Sequence, residues 1–281
     1  MYTKNFGIEI ELTGITREVA SNLVAAYFKT NAEPIKEYRY AIQDNKNRTW
    51  FITRDRSIRP EINQKNVSAP EEDTSNYLVE LITPVLTLDE LWILNDIVEL
   101  FKINGGIINE TCGIHIHLDL EPHTPQTLQK LITVIHDNSK LLYEALDIPI
   151  NRLKYCRKFS KTHIENLNKQ DFTSLEHMSD IWYSIYPNDE RDTKYNKTRY
   201  YGLNLHSAFH KNTIEFRYFN SCLDIDRIKA YLDFCFSLNT HSLNANTKQI
   251  RANSFSELLS SIGIGEQEYY TLTQEKKASS L

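Results

Sequence analysis

With 281 residues, 41% hydrophobic and 11% aromatic, the chain can bury one sizeable core, or a core carrying an inserted lobe. A formal charge of −5 and a pI near 6.0 leave no basic footprint for nucleic acid and nominate no macromolecular partner. Cys112, Cys156, Cys222 and Cys235 form no CxxC pair, which argues against a zinc knuckle or a disulfide scaffold. With neither a signal-type N-terminus nor an apolar run of about 18 residues, the expectation is a cytoplasmic protein with no membrane segment.

In chain order, the first element is "FGIEIELT", a period-2 segment over residues 6–13 with Ile8, Ile10 and Leu12 on one face and Glu9 and Glu11 on the other. Thr16 then suits an N-cap, opening a helix whose predicted stripe is Val19, Leu23, Ala26 and Tyr27. Strand patterns follow at 50–54 and 77–83, the second apolar on both faces apart from Glu80. Between them, 59–76 is polar, contains proline and lacks periodicity, so a mobile loop is expected.

Thr87 and Glu90 read as a capping box for a helix with Leu91, Leu94, Val98 and Phe101 inward, stopped by Gly105 and Gly106. Residues 112–120, "CGIHIHLDL", alternate again, with Ile114, Ile116 and Leu118 opposing His115, His117 and Asp119. Thr124 and Pro125 start a third helix facing inward through Leu128, Leu131, Ile132 and Ile135. Residues 151–198 carry weak helical signals and are expected to form an inserted substrate lobe. Strand patterns at 200–206 and 212–219 place Asn204 and His206 on one face of the first, and Glu215 and Arg217 on one face of the second. Helices after Asp224 and Ser254 complete the chain, the latter ending at Gly263. The strands and helices do not alternate one to one, which predicts an α+β fold built on a mainly antiparallel sheet.

Any one of these wet strand faces reads most simply as a solvated sheet. Together they carry Glu, His, Asn and Arg with hardly a Lys, and that points to a shared site. Two ionised carboxylates about 6.7 Å apart on one strand repel by roughly 2.5 kcal/mol at an effective dielectric near 20. A divalent cation removes that cost, and an oxygen-rich set with one or two imidazoles suits Mg²⁺ or Mn²⁺ better than Zn²⁺. No GxxxxGK[ST] or GxGxxG sequence is present, so a nucleotide would be held through metal and arginine. Arg217 and Arg199 are the candidates. Asp55, beyond the 50–54 strand, reads either as a turn former or as a carboxylate able to take a proton from an amine.

The ordered set "FGIEIEL", a Trp followed by Asp and Ser, "VELITP", "CGIHIHLDL", "LNL" and "TIEFR" resembles the putative amidoligase family, related to glutamine synthetase and the glutamate–cysteine ligases, over roughly residues 5–240. The resemblance implies a curved sheet of glutamine-synthetase catalytic type with helices on its convex face. It spans 1–250 as one catalytic domain, with 251–281 a C-terminal helix and tail. ATP and two or more Mg²⁺ or Mn²⁺ ions are the implied cofactors. Carried over, Glu9, Glu11, Glu80, His115 and Glu215 are metal ligands. His115, His117, Asn204, Arg199 and Arg217 bind the nucleotide, and Asp55, Arg217 and Arg199 are catalytic.

The implied reaction joins a carboxylate and an amine, from small molecules or peptides, through an acyl phosphate; neither substrate is identified, and a homo-oligomer is compatible with the sequence. Two enzyme rivals exist: a guanidino-type phosphotransferase on the same fold, and a metal-dependent hydrolase built on HxH, which would ordinarily place that motif on its first strand. An inactive nucleotide-binding protein is the third alternative.

Overall fold

The alternation of "NFGIEIEL" becomes strand β1 (Asn5–Leu12), with Ile8, Ile10 and Leu12 at most 1% exposed. The structure, a computed structural model, describes residues 4–62, 71–184, 191, 193, 196–244 and 246–273. Two units are distinguished, Met1–Ile116 with Phe219–Lys229, and His117–Tyr218 with Ala230–Leu281.

In the first unit, β1 is followed by α1 (Arg17–Phe28), β2 (Ala32–Lys36), β3 (Arg39–Gln43), β4 (Thr49–Thr53), β5 (Val79–Ile82), β6 (Leu86–Thr87) and α2 (Leu91–Ile103). The last strand, β7 (Gly113–Asp119), begins in this unit. Strand order is β2-β3-β4-β5-β1-β7, with β6 also paired to β1. Each hairpin-type pair from β2 through β5 to β1 is antiparallel. Register sets the faces: Ile42 opposes Trp50, Ile52 opposes Leu81 and Leu81 opposes Ile10, all five fully buried. Helix α1 covers this side, the Phe28 ring lying 5.4 Å from Trp50, and Tyr27 donates to Asp96 of α2 at 2.9 Å. The other side carries the carboxylates.

Thr16 caps α1, its hydroxyl accepting from Val19 N at 3.2 Å. The expected stripe is displaced, however. Ala20, Val24, Ala25 and Phe28 are buried, whereas Val19 is 41% exposed and Ala26 faces solvent. Both sets have helical spacing; packing against the sheet buries the second, with Phe28 beside Trp50. Gly14 ends the β1 segment at φ +86, where an added Cβ would lie 2.5 Å from the Gly105 carbonyl oxygen. The capping-box glutamate Glu90 accepts from Thr87 N at 3.1 Å, and its carboxylate is also held by Lys46 and Arg48.

The second unit continues β7 and adds α3 (Pro125–Asp137), α4 (Ser139–Ala145), α5 (Lys161–Asn168), α6 (Leu175–Ser184), β8 (Leu203–Asn204) and α7 (Leu205–Lys211). β9 (Thr213–Asn220), α8 (Ile225–Leu243), α9 (Phe255–Ser261) and α10 (Glu266–Thr273) complete it; β9 and α8 run through the unit boundary. Here β9 lies between β7 and β8. Within the expected lobe at 151–198, α5 and α6 form, and Trp182 of α6 packs with Phe159, Tyr201 and His163; 185–190, 192 and 194–195 lie outside the described residues. Burial, with the charge of Arg157, lowers the His163 pKa to about 4, so the ring serves this core as a neutral aromatic.

Residues 200–206 are not one strand. Pairing stops at Asn204, whose side-chain oxygen accepts from Ser207 N at 3.2 Å and starts α7, so His206 lies on a helix. "HKN" likewise closes that helix, with Asn212 in the left-handed region at φ 57. Residues 71–77 of the expected loop form a short 3₁₀ helix, while 63–70 lie outside the described residues. Two helices, α9 and α10, occupy the C-terminal region where one was expected, and 274–281 also fall outside. No helix among the described residues is long and apolar enough to cross a membrane.

Candidate active site

Antiparallel register brings together carboxylates distant in sequence. Glu11 of β1 is directly opposite Glu80 of β5, on the side of the sheet away from α1. From the next strand, the Gly113 N–H donates to Glu11 Oε2 at 2.7 Å, and His115 Nδ1 lies 2.9 Å from Glu9 Oε2. His115 Nε2 is 3.9 Å from Glu11 Oε1. One ligand atom each from Glu11, Glu80 and His115 falls within 4.8 Å of the others. All three residues are buried, at 3%, 8% and 4% exposure, and Glu9 is half-buried beside them. The Ser221 hydroxyl, donating to the Glu11 carbonyl at 2.5 Å, pins the strand that presents the cluster.

Buried carboxylates this close repel one another when ionised, and a compensating positive charge or a shared proton relieves that repulsion. Two oxygen donors and one imidazole fit a small divalent cation of the Mg²⁺ or Mn²⁺ type. Asp55 is not one of the groups that converge here. It lies beyond the end of β4, half-buried, and its Oδ1 accepts from Ser57 N at 2.6 Å, the turn geometry expected of an aspartate at that place.

In the second unit, β8 and β9 pair so that Asn204 faces Glu215. Asn204 Nδ2 donates to Glu215 Oε2 at 2.5 Å while Arg217 donates to the other carboxylate oxygen, Oε1. Arg217 is itself buried, and its Nε donates to the Tyr155 carbonyl at 3.1 Å. His117, unlike His115, is half-buried and pairs with the Thr213 hydroxyl at 3.1 Å.

Arg199, Asn204 and Glu215 line a small cleft with His206, His210 and Lys211. Burial of His206 is the main cause of its lowered pKa; the His210 ring stacked on it at 5.2 Å and the charges of Arg199 and Lys211 act the same way. Arg199 and Lys211 give this cleft two fixed positive charges against the single carboxylate of Glu215. Lys211 and His210 are not among the sequence-derived candidates, because they fall between the strand patterns at 200–206 and 212–219; the structure places both on the last turn of α7.

A family model described as putative amidoligase enzyme matches residues 3–239, from the first strand to within α8. No curated protein matches the chain. With a match of this length over both units, the chain belongs to the putative amidoligase enzyme family.

Proposed function

We propose that the protein is an ATP- and Mg²⁺-dependent carboxylate–amine ligase that forms an amide bond through an acyl phosphate. Family membership supports amide-bond formation. The observation that carries the ATP and metal part is the convergence of buried Glu11, Glu80 and His115 within 4.8 Å. In this reading these three residues hold a divalent cation, with Glu9 and Glu215 the remaining ligands for two or more ions. When bound, such cations neutralise phosphate oxygens.

Arg217 and Arg199 offset negative charge on the transferring phosphoryl group, and Asn204 and His117 support the nucleotide side. A substrate carboxylate oxygen forms a bond to the γ-phosphorus as the bond to ADP breaks. The amine then attacks the acyl carbon, Asp55 takes its proton, and inorganic phosphate leaves with the former carboxylate oxygen.

Incubation with Mg²⁺, ATP and pools of amino acids, polyamines and small peptides is expected to yield ADP, phosphate and a product one water lighter than its two substrates, read by mass spectrometry. A stable phosphorylated product made without any amine would instead establish the phosphotransferase alternative. Glu11→Gln is expected to abolish Mg²⁺-dependent nucleotide binding with an unchanged far-UV spectrum; unaltered affinity would remove Glu11 from the site.

A further inference from the structure

The carboxylate-bearing face of the first unit extends past the cluster to β3. Register runs in two rows across it: Glu11, Glu80, Thr53 and Arg39 in one, Glu9, Ile82, Phe51 and Ala41 in the other. Phe51, Ile82 and Ala41 are half-buried, so this face offers an apolar floor open to solvent. Arg39 lies at its far end, the guanidinium carbon 3.9 Å from the centre of the Phe51 ring. Among the described residues this guanidinium has no hydrogen-bond or ion-pair partner, and its Nε is buried without one. A guanidinium seated flat on an aromatic ring and shielded at Nε keeps its two terminal nitrogens as a fork, the arrangement that receives an oxyanion bidentately.

We propose that Arg39 anchors a carboxylate of the organic substrate, whose reacting end lies at the Glu11, Glu80 and His115 cluster. The two strand spacings from Phe51 through Ile82 to Glu9 set a length of about 10 Å. That span and its apolar floor fit an acid with a methylene or peptide-like middle and an anion at each end. The inference deepens the ligase reading and rests on it only for which end reacts.

Calorimetric titration of the full chain with Mg²⁺ and the dicarboxylic acids from succinate to suberate tests the anchor without any turnover. Affinity is expected to increase along the series. Arg39→Gln should weaken the longer acids about tenfold or more, Arg39→Lys should weaken them less, and Mg²⁺-ATP affinity should stay unchanged in both. Because Arg39 is part-exposed near a hairpin turn, these variants are expected to melt with the wild type; Phe51→Leu, which removes the stacking ring but keeps an apolar floor, should also weaken the acids. Equal acid affinity in wild type and Arg39→Gln overturns the proposal, as does failure of the wild type to bind any acid in the series. A loss of Mg²⁺-ATP affinity in place of acid affinity also overturns it, since the oxyanion would then belong to the nucleotide. Failure of the ligase reading shows separately, as acid binding intact with no condensed product.

Discussion

Glu80→Gln isolates the physical cost that the carboxylate cluster carries without a cation. Glu80 and Glu11 stand directly opposite on antiparallel strands, where like charges are destabilising. Their ligand atoms are no more than 4.8 Å apart. At an effective dielectric near 20, two full charges at that distance repel by about 3.5 kcal/mol. An amide at position 80 removes the repulsion and can donate to Glu11. In EDTA the variant should therefore melt above wild type by a few degrees, with about 7 °C as the ceiling for a chain of this size. Mg²⁺ should narrow the gap. A ligand present at a hundred times its Kd adds about 2.7 kcal/mol to the native state, and the variant, short of one ligand, gains less. Differential scanning calorimetry with EDTA and with Mg²⁺ reads both terms. If the variant melts below wild type in EDTA, and Mg²⁺ raises both proteins equally, the cluster is neither strained nor a cation site.

Burial opposes ionisation of Glu90, yet Arg48 and Lys46 outweigh it and lower its pKa from 4.5 to about 2. That depressed value contributes stability above pH 4.5 which is lost as the pH falls towards 2, so urea midpoints of Glu90→Gln should be flatter than wild type across that window. Asn204→Ala removes both the cap of α7 and the donor to Glu215, and should cost about 1–2 kcal/mol in urea unfolding. Asn204→Ser, which keeps the capping oxygen, should recover part of that loss.

Several parts of this protein were legible from local physics. The faces of β1 and β7 follow from strict alternation, the inward stripe of α3 from its 3.6-residue spacing, and the ends of α3 and α9 from Thr124, Pro125 and Ser254. Where two local rules competed, sequence reading failed. "LNLHS" alternates like a strand, but the Asn204 side chain caps a helix at that point. Along α1, two apolar sets have equally good spacing, and only packing against the sheet selects Ala20, Val24 and Phe28. The β2–β3 hairpin escaped notice because nearly all of β2 is exposed and carries no apolar alternation.

The sequence by itself therefore determined which residues are carboxylates and which face of its own strand each occupies, since both are properties of a single segment. It could not determine which strands meet. Glu11 faces Glu80 and receives the Gly113 N–H because β5 and β7 pair on either side of β1, across separations of many tens of residues. Arg39 joins that face through two further register steps, by way of Thr53. Pairing is decided by burial of the opposite face against the helices, a cooperative property of the whole unit. Only tertiary structure could bring scattered acids into one cluster with a guanidinium two strands beyond Glu80.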